Sequence, residues 1–336
     1  MTASGRAMVE TDTTSAALEA DAPAMPTKKH GVLRGLIKTI RPHQWVKNLF
    51  VMAPMFFAKD VFLTTPAGPA LNLTVTSRAL LATVVFSLLA GAVYTINDLV
   101  DVEADRVHPV KRFRPIASRE VPEGLARVMA GGLVVASLAV GYLLDWRFAL
   151  VALVYFVENV AYSFKLKKVA FLDVGLIAFG FVLRVLAGGF ATNVRVSEYM
   201  VACTALLALF LGFGKRRQEL EQEHAGKQRA ALEVYTTTAL NVALAVTGTA
   251  TLVTYVAYTL DATTCEFFHT RWLWLTAPFT GFGIIRFLLL VSGKAGKGMK
   301  SESPTQGMLR DVPFVVNLGL WVIVVVAIVY RLRPNP

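Results

Sequence analysis

Stretches of predominantly apolar residues, each long enough to cross a bilayer, recur along almost the whole of this chain. Spanning the hydrocarbon takes roughly 20 such residues in a helix, because an unpaired backbone amide finds no water there. By that criterion there are about nine of them, at approximately 43–58, 77–100, 124–145, 146–163, 169–192, 197–214, 233–260, 272–293 and 312–332. The first is interrupted by Lys47 and Asn48. With 55% hydrophobic against 17% charged residues and a mean hydropathy of +0.53, the composition is too apolar for an ordinary soluble domain. The expected fold class is all-α, a polytopic membrane protein. Residues 1–30, rich in Ala, Thr, Ser, Asp and Glu, read as a disordered cytoplasmic tail, and 31–336 as a single membrane-embedded domain.

The formal net charge of +11 could suggest nucleic acid, but the distribution of the cations points elsewhere. With the N-terminus in the cytoplasm and the loops laid out alternately, the inner loops receive Arg106, Lys111, Arg112, Arg114 and Arg119, then Lys165, Lys167 and Lys168, then Lys215, Arg216, Arg217, Lys227 and Arg229, then Lys294, Lys297, Lys300 and Arg310. The outer connections receive little beyond Arg147, Arg195, Arg271 and the tail residues Arg331 and Arg333. This asymmetry follows the positive-inside rule, which places the N-terminus and the basic loops in the cytoplasm; a multi-pass protein of the plasma membrane is the expectation. The expected partners are lipid bilayer and anionic headgroups, with no nucleic acid. Before the first span, Lys28, Lys29, Arg34, Lys38 and Arg41 flank Val32, Leu33, Leu36, Ile37 and Ile40, a basic amphipathic helix suited to the inner membrane surface.

Ionisable groups at the ends of spans carry the functional information, since burying them costs several kcal/mol without compensation. The densest cluster closes the second stretch: Asn97 and Asp98, then Asp101, Asp105 and Arg106. If the helix continues through Asp105, the three aspartates stand at i, i+3 and i+7 on one face, with Asn97 four residues before Asp101. Stacked carboxylates repel, and Mg2+ relieves that repulsion while completing its shell with water and phosphate oxygens. Lys111, Arg112 and Arg114 follow between Pro109 and Pro115, and cations beside a metal–carboxylate site suit a phosphorylated substrate. Carboxylates simply solvated at a helix end are the plain alternative.

A second polar cluster holds Glu158, Asn159, Tyr162, Lys165, Lys167 and Lys168, with Asp173 one turn into the next helix. Arg41, Lys47 and Asn48 open the first stretch on the same side, while Arg184 and Arg286 lie deeper, where an internal ion pair or hydrogen bond is the favoured role. The two cysteines, Cys203 and Cys265, and the five histidines show no metal-binding spacing, so zinc is not expected.

The run Asn97-Asp98-x-x-Asp101-x-x-x-Asp105 resembles the first diphosphate-binding motif of the UbiA superfamily of intramembrane prenyltransferases, and the span count and second polar cluster resemble it too. Arg41-Pro42-His43-Gln44-Trp45-Val46-Lys47-Asn48, the loop from Arg106 to Ala117, and Tyr162-Ser163, Leu166-Lys167 and Leu172-Asp173 narrow the likeness to its decaprenyl-phosphate phosphoribosyltransferase branch. Ile177 stands four residues after Asp173, where the usual second family motif has another acid. The resemblance implies a helical bundle capped by motif loops that moves 5-phosphoribose from phosphoribosyl diphosphate to polyprenyl (decaprenyl) phosphate, for cell-wall arabinan. It implies Mg2+ held by Asp98, Asp101 and Asp105, with Asp173 as a further catalytic acid. Substrate contacts are then expected from Lys47, Asn48, Asn97, Arg106, Lys111, Arg112, Arg114, Asn159, Tyr162, Lys165, Lys168 and Arg184. A prenyl transfer from its diphosphate to an aromatic acceptor is the alternative within that fold. A transporter is disfavoured because the acids crowd one face, and a homo-oligomer is left open.

Overall fold

The computed structural model describes residues 31–58, 61–65, 68–164, 166, 169–223, 234–293 and 304–331. The expected tail, 1–30, and Lys165, Lys167, Lys168, Lys227, Arg229, Lys294, Lys297 and Lys300 lie outside them. The chain opens with α1 (Val32–Thr39), a 3-10 segment (Pro42–Met52) and α2 (Ala53–Phe57), then a two-stranded antiparallel hairpin of β1 (Phe62–Thr65) and β2 (Gly68–Leu71). Helices follow: α3 (Leu73–Val100), α4 (Val102–Val107), α5 (Glu123–Leu144), α6 (Trp146–Phe164), α7 (Leu172–Thr192), α8 (Glu198–Glu223), α9 (Thr237–Leu260), α10 (Ala262–Phe268), α11 (Ala277–Val291), α12 (Pro304–Arg310) and α13 (Val312–Val326).

Eight helical spans among the described residues are long and apolar enough to cross a membrane. They match the expected stretches from the second onward. The first stretch, 43–58, is built otherwise: Pro42 and Pro54 bracket a 3-10 segment that passes into the single short turn of α2. At about 2.0 Å per 3-10 residue and 1.5 Å per α residue, the two cover roughly 30 Å, comparable with the hydrocarbon thickness.

Local chemistry sets the helix ends. Asn72 caps α3 by accepting from the Val75 amide, and Thr236 caps α9 by accepting from Ala239. Asp311 caps α13 through the Phe314 amide and also receives both ends of Arg286 at 3.0 and 2.8 Å, so Arg286 has the internal pairing expected of it. That bidentate guanidinium holds the Asp311 carboxyl below the usual carboxylate range.

Helices α3 and α7 form the centre of the bundle, 61% and 56% buried within the protein, whereas the other spans are 11–28% buried and turn apolar faces outward. Helices α5 and α6 pack on α3, α6 on α7, and then α7 on α8, α8 on α9, α9 on α11 and α11 on α13. The run closes on its own beginning where the Tyr330 hydroxyl donates to the Phe56 carbonyl at 3.3 Å and its ring meets Phe62. With no hydrophobic drive between helices in lipid, small residues let the backbones approach. Ala79, Ala82 and Ala90 on α3 and Ala187 and Ala191 on α7 are buried at these crossings.

Gly188 is the tightest approach. A Cβ built there would stand 1.9 Å from the Val51 carbonyl oxygen, a backbone atom of the 3-10 segment. Gly188→Ala is therefore expected to destabilise by about 3 kcal/mol or more, since the backbone itself must move. Gly175→Ala on the same helix, with nothing within 4 Å, is the control and should hold or slightly raise the thermal midpoint in detergent.

Candidate active site

Helix α3 ends at Val100, and Asp101, with φ −93° and ψ 6°, caps it before α4 begins at Val102. The expected continuous helix through Asp105 is thus broken at Asp101. The break changes which acids meet. Asp98 and Asp105, both buried, converge on one guanidinium: Arg114 Nη1 donates to Asp98 Oδ1 at 3.2 Å and to Asp105 Oδ2 at 2.6 Å. Arg41 Nη2 donates to the same Asp98 oxygen at 2.5 Å, with its guanidinium over the Tyr94 ring. Among the described residues no three His, Cys, Asp or Glu side chains group closely enough to hold an ion, so the stacked triad of aspartates is not assembled. Asp101 is half-buried beside the pair. Asn97, expected to orient the acids, has a buried Oδ1 without a hydrogen-bond partner.

The loop that carries Arg114 is organised by His108, whose Nδ1 accepts from the Val110 and Lys111 amides. Lys111 and Arg112 are exposed, Arg112 lying over Phe113. Arg106 turns away from the acids of the motif, pairing with Glu103 and, at 3.0 Å, with Glu123. The structure therefore gives Arg106 a role in holding the loop against α5.

Asn48 and Arg184 meet in the core. Arg184 Nε donates to Asn48 Oδ1 at 2.8 Å, Nη1 to the Gly180 carbonyl at 2.9 Å, and Nη2 to the Tyr155 hydroxyl at 2.9 Å. Asn48 in turn donates to Ser87 Oγ at 3.0 Å, so one network joins the 3-10 segment to α3, α6 and α7. Arg184 thus has the internal role expected of a deep charge. Lys47 is half-buried beside Asn48 and lies in the field of Arg184 and Arg41, a locally cationic setting that suits an anionic ligand. On α6, Asn159 donates to Glu158 Oε2 at 2.7 Å and to the Tyr155 carbonyl at 2.8 Å.

Asp173 is completely buried at the start of α7. Its Oδ1 accepts from the Tyr235 hydroxyl at 2.9 Å and from the Val174 amide at 2.8 Å. Arg216 Nε stands 2.8 Å from Oδ2, close enough for an ion pair but without hydrogen-bond alignment, and its Nη1 reaches Glu219. Burial holds the Tyr235 phenol above its ordinary range. The same hydroxyl accepts from the Phe171 amide at 2.6 Å, steadying a bulky residue at φ 64°. Tyr162 lies within the field of Arg216. Arg216 and Tyr235 do not stand out as site residues in the sequence. Arg216 resembles the topological cations around it, and Tyr235 adjoins an uninformative loop.

A helical bundle with eight spans among the described residues, apolar faces turned outward, and carboxylates paired to arginines at the C-terminal end of α3 and the N-terminal end of α7 defines an integral membrane protein. The model of the UbiA prenyltransferase family matches residues 51–292. Over 328 residues the chain is 35% identical to the decaprenyl-phosphate phosphoribosyltransferase of Mycolicibacterium smegmatis, across 95% of this chain and 99% of that protein. The protein of the same name from Mycobacterium tuberculosis is 37% identical over 302 residues, 89% of this chain and 95% of that one. Among solved structures, a UbiA homologue from Archaeoglobus fulgidus bound to GPP and Mg2+ aligns with a TM-score of 0.64 over 88% of this chain and 99% of that one. At 18% identity it speaks for the fold alone. The chain belongs to the UbiA prenyltransferase family.

Proposed function

We propose that this protein transfers 5-phosphoribose from phosphoribosyl diphosphate to decaprenyl (polyprenyl) phosphate, releasing diphosphate and supplying a lipid-linked pentose for cell-wall arabinan. The observation that carries the reading is the likeness to decaprenyl-phosphate phosphoribosyltransferases along nearly the full length of both chains. The donor is water-soluble and the acceptor is a lipid, so the motif end faces the cytoplasm at the plasma membrane, as the charge asymmetry of the loops also indicates.

The residues present fit a divalent ion. Asp98 and Asp105 already direct oxygens at one shared cation, and Asn97 adds a buried acceptor without a partner. Mg2+ suits one or two carboxylates with water and phosphate oxygens completing the shell. We assign it to Asp98 and Asp105, with Asn97 and Asp101 beside them. When bound, such an ion stabilises the charge that develops on a departing diphosphate. An oxygen of the acceptor phosphate attacks the anomeric carbon as the bond from that carbon to the diphosphate breaks. That oxygen is already anionic near neutral pH, so orientation matters more than proton transfer.

Arg114, Arg41 and Lys47 bind the diphosphate, while Lys111, Arg112, Lys165 and Lys168 meet the 5-phosphate and the lipid headgroup. Asn159 and Tyr162 orient the ribose or the acceptor. Asp173 is enclosed by Tyr235 and Arg216, so we assign it to positioning the α7–α8 end of the site, in place of the direct catalytic contact expected from the sequence.

With purified protein, polyprenyl phosphate and labelled phosphoribosyl diphosphate, a chelator is expected to stop lipid labelling, and added Mg2+ to restore it. A chelator-insensitive enzyme would remove the metal assignment. Efficient turnover of a prenyl diphosphate with an aromatic acceptor, and none with phosphoribosyl diphosphate, would replace the reading with prenyl transfer.

A further inference from the structure

Arg114 Nη1 lies within hydrogen-bonding reach of Asp98 and Asp105 together, and Arg41 Nη2 shares the same Asp98 oxygen. Those carboxylates cannot offer the same lone pairs to a divalent ion while guanidinium groups hold them, because cations converging on one oxygen repel each other. Both arginine side chains are partly open to solvent, Arg41 25% and Arg114 29% exposed. Arg114 is half-buried and follows the exposed turn Lys111–Phe113, and Arg41 is half-buried at a left-handed position, φ 52°, between α1 and the 3-10 segment. A guanidinium pairs with phosphate oxygens in the same forked geometry it uses for carboxylates.

Building on the assignment of Asp98 and Asp105 to a divalent ion, we infer that Arg114 and Arg41 are exchangeable counter-ions. They neutralise the two acids until the ion enters with a diphosphate, and then pass their hydrogen bonds to that diphosphate. The arrangement makes metal and diphosphate bind with positive coupling, since each cation displaced from the acids becomes a donor to the anion. It also keeps two buried carboxylates from facing each other unpaired between turnovers.

The test uses the full chain in detergent, with Mn2+ standing in for Mg2+ and free Mn2+ read by electron paramagnetic resonance. Arg114→Gln is expected to bind Mn2+ alone about tenfold tighter than the unaltered protein, while retaining radiolabelled inorganic diphosphate at saturating Mn2+ about tenfold more weakly. Arg41→Gln, which bears on Asp98 alone, should shift both quantities in the same directions by less. Arg127→Gln removes an equal charge from an exposed site on α5 and should change neither. Unchanged or weaker Mn2+ binding in both the Arg114 and Arg41 variants, with thermal midpoints near that of the parent, would overturn the exchange. If Mn2+ binding survives in the Asp98→Asn, Asp105→Asn double variant, the metal assignment itself fails, and the exchange falls with it.

Discussion

Asp98→Asn is expected to lower phosphoribosyl transfer by about 10²–10³-fold, about 3–4 kcal/mol of transition-state stabilisation, in the range found for removing one preorganised electrostatic group. The change is nearly isosteric and leaves α3 intact, but it withdraws the charge on which Arg41 and Arg114 both converge. Under the proposed assignment it acts on the chemical step in two ways, by removing a metal ligand and by misplacing two cations proposed to bind the diphosphate. The rate at saturating donor should therefore fall further than donor affinity alone would predict. Steady-state assays of the variant against both substrates check this, and turnover within a few-fold of the parent would exclude Asp98 from the metal site.

The second large effect concerns stability. Arg216→Met should destabilise the protein by about 3–5 kcal/mol, because it leaves the Asp173 carboxylate buried without its counter-charge. Asp173 is 0% and the Arg216 side chain 1% exposed, so solvent cannot substitute for the missing partner. Adding Asp173→Asn to Arg216→Met should recover a large part of the loss, since no lone buried charge then remains. Thermal unfolding of the two single variants and the double variant measures the coupling. Additive losses would mean that the pair is not a unit. Because the pair joins α7 to α8 and Tyr235 joins it to the residues before α9, the single variant is also expected to lose activity at temperatures where it remains folded.

Much of this architecture was legible in the sequence because a bilayer imposes a length and polarity rule on every span. The stretches at 77–100, 124–145 and 312–332 correspond to helices within a few residues. The stretch at 43–58 was the exception. Hydropathy registers apolar content but not backbone type, and the prolines at 42 and 54 together with the polar pair Lys47 and Asn48 make a 3-10 segment that leans on Gly188. The same limit applies to the acidic motif. Periodicity placed Asp98, Asp101 and Asp105 on one face only on the assumption of an unbroken helix, whereas the break at Asp101 brings Asp98 and Asp105 to Arg114 and sets Asp101 apart from that bridge. Arg184 was legible as an internal residue because it lies deep in an apolar run. Arg216 was not, because its place at a helix end among Lys215 and Arg217 gives it the same appearance as the cations that set topology.

Whether a pentose, rather than a prenyl group, moves across this site onto a lipid phosphate is decided by incubating the purified chain in nanodiscs with polyprenyl phosphate and phosphoribosyl diphosphate labelled in the ribose ring. The label is expected in the lipid extract as polyprenyl phosphoryl-5-phosphoribose, identified by mass, with one inorganic diphosphate released per labelled lipid. Diphosphate release with no label in the lipid, or a lipid product lacking the ribose, would rule out pentose transfer.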